Sequence, residues 1–446
     1  MNQQRVPRQS YLPWIVFVGW FLLLGLLLVG VIASGELPVD YKAYQQAADA
    51  IAESVSPYST PAESQVMWRT IHELAVLLET DQPIPADIDV QGGPYIYAPT
   101  LALLIHQARI NAIIFLLLVI ISVVGFGWLW LHAIQTETKR AEATRAETDP
   151  QAPQQWARPS AWWLLLIVGS WDVIASFGGL NVELILLFLA LLAAWLLWQG
   201  RGLWAALPIT FVVLVKPFYA LLFATFGLIM MMLGRSWRSD LGTLTVAATS
   251  TFVLIGLEIL RWPNWLRTEA IDYFQNAVAH QWLVMPIAEQ TPMSVWNRTP
   301  LQVLVNYGVD VGSAQWMAIG LWALLLLVSL WWIRQRTSLF SFAFALAYVL
   351  FLWGRPVSWT LPNLEIILVL ALWPLLTQRW QRIALLTGVV MLGLSHWVAL
   401  VRSILGINAN LFTLQSAAFP WETLLVLPLS WFIIVNSARF LGETER

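Results

Sequence analysis

Cysteine is absent from the chain, which excludes disulfides, thiol nucleophiles and cysteine-ligated metals and leaves the redox compartment open. Charge is scarce as well. Asp, Glu, Lys and Arg make up 11% of the residues against about 25% in soluble domains, which excludes a water-soluble globule. Histidine is sparse and widely spaced, five in 446 residues, so a histidine metal cage is not expected. No H-E-x-x-H, Gly-x-x-x-x-Gly-Lys or Gly-x-Gly-x-x-Gly pattern occurs, which leaves zinc-hydrolase and ATPase readings without support. A formal net charge of -2 lacks the basic excess that nucleic-acid binding requires.

Apolar surface is what the chain has in quantity: 59% hydrophobic residues, 28 tryptophans and a mean hydropathy of +0.67. It falls in long runs separated by short basic loops. A bilayer core about 30 Å thick needs roughly 20 apolar residues per helix, and the first run, Trp14 to Ala33, reads as a retained anchor with no A-x-A-like cleavage site. Further runs lie near 97–134, 160–178, 180–198, 203–233, 241–258, 312–333, 338–353, 362–377, 383–401 and 420–437. The run at 203–233 contains Lys216-Pro217 and splits there into two short helices. The run at 97–134 suits one tilted helix plus a short re-entrant piece, with Arg109 marking a kink or a buried partner. The expectation is an all-α, polytopic bundle of about 12 transmembrane helices forming one domain over 1–446.

Basic residues orient the bundle, because cytoplasmic loops collect them. With both termini inside, fifteen of the 24 Lys and Arg fall on the cytoplasmic side, among them Arg5, Arg8, Lys139, Arg201, Arg238 and Arg334. A hairpin at 97–134 would break that pattern. The segment 135–158 then reads as a cytoplasmic, charged linker, solvated or disordered. Residues 34–96 and 259–311 form the two long outer loops. The first is acidic, ten Asp and Glu against Lys42 and Arg69, and reads as two amphipathic interfacial helices near 40–53 and 61–80.

Chemistry is expected in these outer loops. Asp40 follows the first helix in Val39-Asp40-Tyr41-Lys42-Ala43-Tyr44. It suits two roles, a helix N-cap and a general base accepting a proton from a hydroxyl at the lipid–water boundary. Ser56-Pro57-Tyr58 and Tyr95-Ile96-Tyr97-Ala98-Pro99 come next, the latter before the second apolar run. Pro99 fits the first turn of a helix. Lys216 reads as a snorkelling anchor or a buried cation with a function. Arg298 and Arg355 are able to pair with a phosphate in two-pronged fashion or to sit at helix ends. His280 fits a solvated loop or a proton carrier. Asn181 and Glu183 stand before an apolar run, where an amide can bind sugar hydroxyls, and Asp172 interrupts one. Trp282, Trp296 and Trp359 are able to stack on a sugar ring.

The run Asp-aromatic-x-x-Tyr-x-x-Ala-Ala-x-Ala at Asp40, followed by Pro57-Tyr58 and Tyr95-x-Tyr97-x-Pro99, resembles the polyprenyl-phosphate-mannose-dependent α-1,2-mannosyltransferases, glycosyltransferase family 87. Gly178-Gly179-Leu180-Asn181-Val182-Glu183 is similar to the family's Gly-Gln-x-Asn stretch, and Val215-Lys216-Pro217 to its Ile-Lys-Pro turn. Arg235-Ser236-Trp237-Arg238 stands where the family has a basic inner loop, and Arg355-Pro356-Val357-Ser358-Trp359 resembles its Ser-Pro-x-Ser-Trp. The likeness runs in order from about 38 to 375.

The resemblance implies a GT-C-like membrane glycosyltransferase that moves a sugar, mannose in the family, from a polyprenyl-phosphate donor to a hydroxyl acceptor on a glycolipid or glycan. Transfer is inverting, extracytoplasmic and independent of metal or other cofactor, in a multi-pass plasma-membrane protein. Asp40 takes the base role. Lys216, Arg355, Arg298 and His280 are assigned to the donor phosphate, and Tyr44, Tyr97, Asn181, Glu183 and Trp359 to sugar or acceptor. The chain departs from the family in reading Trp359-Thr360-Leu361-Pro362-Asn363 where histidines are common, in its long Tyr58–Tyr95 loop, and in carrying Ala98 in place of a second proline. Two other readings stay open: a multi-span lipid or solute transporter, which predicts mid-helix charges and an inverted repeat, and a catalytically inactive family member.

Overall fold

A computed structural model describes residues 11–58, 97–148, 164, 171–233, 236–279, 299–333, 339–355, 379–380, 383 and 428–435. Every regular element among them is helical. The first, α1 (Leu12–Ala33), has Pro13 in its opening turn, where the missing N–H goes unmissed. It buries only Pro13, Phe17, Phe21 and Gly25, a stripe at intervals of four on one face of a helix. Phe21 meets Phe177 at 5.3 Å between ring centroids. The remaining apolar faces are open, as suits a helix in lipid. Twenty-two residues span about 33 Å, sufficient to cross a bilayer.

After Pro38 the chain re-forms as α2 (Val39–Ala52), which buries Tyr41, Tyr44, Ala47, Ala48 and Ile51 and turns its polar face outward. This is the first amphipathic helix expected in the acidic loop; the second, near 61–80, lies outside the described residues. The run at 97–134 resolves into α3 (Pro99–Gln107), too short to span, and α4 (Ala112–Thr148). Between them Arg109 adopts φ +50° and Asn111 Oδ1 accepts the Ile114 N–H at 2.9 Å, starting α4 with an N-cap bond. The kink reading of Arg109 therefore holds.

One expectation changes here. Residues 135–148 continue α4 as helix, where a solvated or disordered linker was expected. Lys139 is exposed, but the first turn of this stretch is held by Glu137, which is buried and accepts hydrogen bonds from the backbone N–H groups of Phe340 and Ser341. Those are orphan donors of the helix Phe340–Gly354, and a carboxylate there satisfies them and opposes the helix dipole.

Between α4 and that helix come α5 (Trp171–Gly178), α6 (Glu183–Trp198), α7 (Gly202–Val215), a 3-10 turn (Pro217–Tyr219), α8 (Ala220–Leu233), α9 (Trp237–Arg261), α10 (Asn264–Ala279), α11 (Pro300–Asn306) and α12 (Val311–Ile333). Phe340–Gly354 is α13. The split of 203–233 at Lys216-Pro217 is as expected. The stretch 259–311, expected as a soluble loop, contains α10 and α11. The innermost element is α13, buried on every side from Phe340 to Leu352. Trp195 meets Phe340 edge-on at 4.9 Å, and Trp130 and Phe226 complete an aromatic collar around its start.

Among the described residues, four helices are long and apolar enough to cross a membrane: α1, the 112–137 part of α4, α9 and α12. Shorter apolar helices of 14 to 17 residues lie beside them. The runs at 362–377 and 383–401 lie almost wholly outside the described residues.

Close helix approach sets one testable limit. A Cβ on Gly202 would lie 2.3 Å from the carbonyl oxygen of Thr243, so α7 and α9 touch backbone to backbone there, as small residues permit between membrane helices. Gly202→Ala should destabilise the protein by ~1–3 kcal/mol and lower its melting temperature in detergent. Gly19→Ala, with open space around it, should leave the transition in place. Equal transitions for the two variants would refute the close contact.

Candidate functional site

Five segments far apart in sequence meet at one end of the bundle, and backbone bonds fix how. The first N–H groups of α2 need acceptors. Asp40 and Tyr41 both donate to the carbonyl of Gly179, at 3.1 and 3.3 Å, joining α2 to the turn between α5 and α6. The Ala98 N–H donates to the carbonyl of Val215 at 3.3 Å, joining the start of α3 to the end of α7. In the α5–α6 turn Leu180 holds φ +54°, a left-handed conformation unusual for a branched side chain, while the Asn181 N–H bonds the Ser176 carbonyl at 2.8 Å. That turn aims Asn181 at α2.

Asp40 is therefore no cap. It lies inside the first turn of α2, which has no side-chain cap bond, and its Oδ2 accepts from Asn181 Nδ2 at 3.1 Å. Asn181 Oδ1 accepts the Glu183 N–H at 2.9 Å. The amide is thereby oriented without ambiguity, since a flipped group would set oxygen against carboxylate and N–H against N–H. The residue keeps part of its surface, yet the protein around its carboxyl removes solvent. That desolvation raises the Asp40 carboxyl to about 6, against the opposing pull of the Asn181 bond and the Lys216 charge.

Glu183 is the hub. With 1% exposure, it pairs with Lys216, accepts the Tyr219 hydroxyl at 2.8 Å and faces the Arg355 guanidinium at 3.8 Å. Lys216 ends α7, Arg355 follows α13 and is 2% exposed. Lys216 and Arg355 thus both face this one carboxylate. Lys216 also lies 5.0 Å above the Tyr97 ring centroid and 5.8 Å from that of Phe218, close enough for cation–π attraction. Tyr44 accepts the Val182 N–H at 3.1 Å and donates to the Tyr97 hydroxyl at 3.3 Å. Tyr58 donates to the Tyr97 carbonyl at 3.2 Å.

Of the residues singled out in the sequence, Asp40, Tyr44, Tyr97, Asn181, Glu183, Lys216 and Arg355 thus come together. Arg298, His280 and Trp359 lie outside the described residues. Glu183 stands at the helix entrance expected of it, but its side chain is buried against Lys216, Arg355 and Tyr219, because an acid opening an apolar helix requires partners. Tyr219 was not foreseen. Its signal was its place three residues after Lys216, where one turn of 3-10 helix returns a side chain to the same face. Among the described residues no group of three His, Asp or Glu side chains is placed to hold a metal ion.

No protein-family model matches the chain, and no curated protein does.

Removing one partner from a buried ion pair typically destabilises by ~3–5 kcal/mol, because the other charge is left unopposed. Glu183→Gln should show a loss of that order in chemical unfolding, and Glu183→Gln combined with Lys216→Met should recover part of it. A double variant no better than the single would show that the pairing does not govern this end of the bundle.

Proposed function

We propose that the chain is a membrane glycosyltransferase that transfers a sugar, mannose by resemblance, from a polyprenyl-phosphate donor to a hydroxyl acceptor on a glycolipid or glycan. The observation that carries the reading is the joint placement of Asp40 and Lys216. A carboxylate and an ammonium 176 residues apart in the chain share one end of the bundle, linked through Asn181 and Glu183. A transporter reading draws no comparable support, since the charged residues of this site, Asp40, Glu183, Lys216 and Arg355, stand at helix ends.

Single displacement asks for two things. The acceptor oxygen attacks the anomeric carbon while its proton passes to a base, and the bond from that carbon to the phosphate oxygen breaks, its electron pair leaving with the polyprenyl phosphate. Asp40 fits the base, because a carboxyl raised to about 6 is ionised at neutral pH and more basic than an ordinary one. Lys216 and Arg355, the cations gathered at this end, fit the departing phosphate. Tyr44, Tyr97 and Asn181 line the same region and suit sugar or acceptor hydroxyls. Arg201 and Arg238 lie at the opposite ends of these helices, beside the loops that close them. Under the positive-inside rule that end faces the cytoplasm, so the site is extracytoplasmic and both termini are inside. A plasma-membrane location and about twelve spans complete the proposal.

Asp40→Asn should abolish transfer from a polyprenyl-phosphate-sugar donor, a loss of about 10²–10⁴ in rate, with insertion and folding intact. The sign for stability is opposite. The folded-state carboxyl lies above its usual 3.8, so the folded chain holds the proton more tightly, and stability falls as pH rises through about 4 to 6. The variant should then be at least as stable as the natural chain at pH 7.5. Transfer by the natural chain should decline with falling pH below about 6. Unimpaired transfer by the variant would remove Asp40 as base.

Lys216→Met should weaken binding of the phosphorylated donor far more than that of the acceptor. Equal effects on both would return Lys216 to a purely structural role.

A further inference from the structure

The face of the molecule formed by α6 and α7 carries a groove unrelated to the Asp40 site. It holds about 620 Å³ between Leu189, Leu192 and Leu196 on α6 and Leu207 and Phe211 on α7. Those stretches run about 15 Å along their helices from the tight turn at 199–201, the end remote from Lys216. At that end stands Arg201, exposed, part of the groove wall. Its guanidinium makes no ion pair among the described residues. Trp204 borders it one turn further, with 64% of its surface exposed.

We infer that this groove is a binding site for an anionic diacyl phospholipid, with the lipid phosphate on Arg201 and an acyl chain between α6 and α7. Charge selects the occupant. An apolar channel with one unopposed cation at its mouth complements a molecule with an anionic head and a hydrocarbon tail, and a guanidinium binds phosphate oxygens through two parallel N–H bonds. Position agrees with charge. Leu203, Trp204 and Leu207 are all more than half exposed on this face, surface that only a bilayer or a partner covers, and tryptophan beside arginine at a helix end is the pattern of the headgroup zone. The polyprenyl donor is a poorer fit, since with its phosphate on Lys216 it would leave Arg201 without an anion. The inference stands independently of the glycosyltransfer reading.

The test uses full-length protein purified in detergent and stripped of lipid. Phosphatidylglycerol and phosphatidylcholine of identical acyl chains are titrated in, and retention is read by native mass spectrometry. The natural chain should retain phosphatidylglycerol preferentially. Arg201→Gln, an exposed change, should weaken that retention about tenfold or more and weaken that of phosphatidylcholine much less. Leu192→Trp should fill the groove and reduce retention of both lipids. Equal retention of the two lipids by the natural chain, a preference that survives in Arg201→Gln, or retention untouched in Leu192→Trp would each overturn the assignment. Displacement of phosphatidylglycerol by an equimolar polyprenyl phosphate would also overturn it, in favour of the donor's tail.

Discussion

Three chain segments converge on one buried carboxylate, and the arrangement of this end of the molecule follows from that convergence. Glu183 opens α6, Lys216 closes α7 and Arg355 follows α13. An isolated carboxylate at 1% exposure would be very unfavourable, and so would either cation among apolar helices. Each is tolerable only with the others in place, so the three helix ends are held in one register. The Tyr219 hydroxyl completes the set, drawing in the turn that leads to α8. Buried charge of this kind adds little to net stability against an apolar alternative, and its best-attested use is to specify which arrangement forms.

A second buried glutamate acts at the other end of the same helix. Glu137 holds the first N–H groups of α13, and Arg355 lies just past its last residue. An acid near the start and a cation near the finish both oppose the helix dipole. Sliding α13 by one residue, about 1.5 Å, would break both sets of contacts and shift thirteen consecutive buried side chains. Arg355 is therefore set in place by packing and charge along the whole helix. The charged stretch after 134 reads as solvated or disordered in the sequence because its partner, the start of α13, is about 200 residues away. No local pattern carries that pairing.

The legible parts of the chain were those governed by local rules. Proline and a neighbouring lysine break an apolar run at Lys216-Pro217, and the chain turns there. A continuous apolar run marks α1, although its uniformly apolar sequence does not single out the buried stripe. Alternating faces mark α2. Asp40 was legible as an important acid, but its two roles were inseparable from position alone. What separates them is the Gly179 carbonyl, which satisfies the N–H groups that a cap would serve and releases the side chain for Asn181. That contact depends on how α5 packs against α1, through Phe177 and Phe21, and no spacing in the sequence encodes it. The hub role of Glu183 was hidden for the same reason, although a lone acid at the head of an apolar helix is itself a sign of a partner.

The two carboxylates at this end divide their work by their surroundings. Had Asp40 paired directly with Lys216, the ammonium would favour its charged form and leave a weak base. Glu183 instead takes Lys216, with Arg355 close by, and Asn181 stands between the acids, giving its N–H to one and its oxygen to the backbone of the other. Asp40 is left with a neutral donor and a distant cation, so desolvation prevails and its proton affinity rises. Environments that push apart the affinities of neighbouring acids are how one site keeps both a base and a structural anion near pH 7. In this chain the separation is made by one oriented amide, and its orientation depends on the strained turn at Leu180.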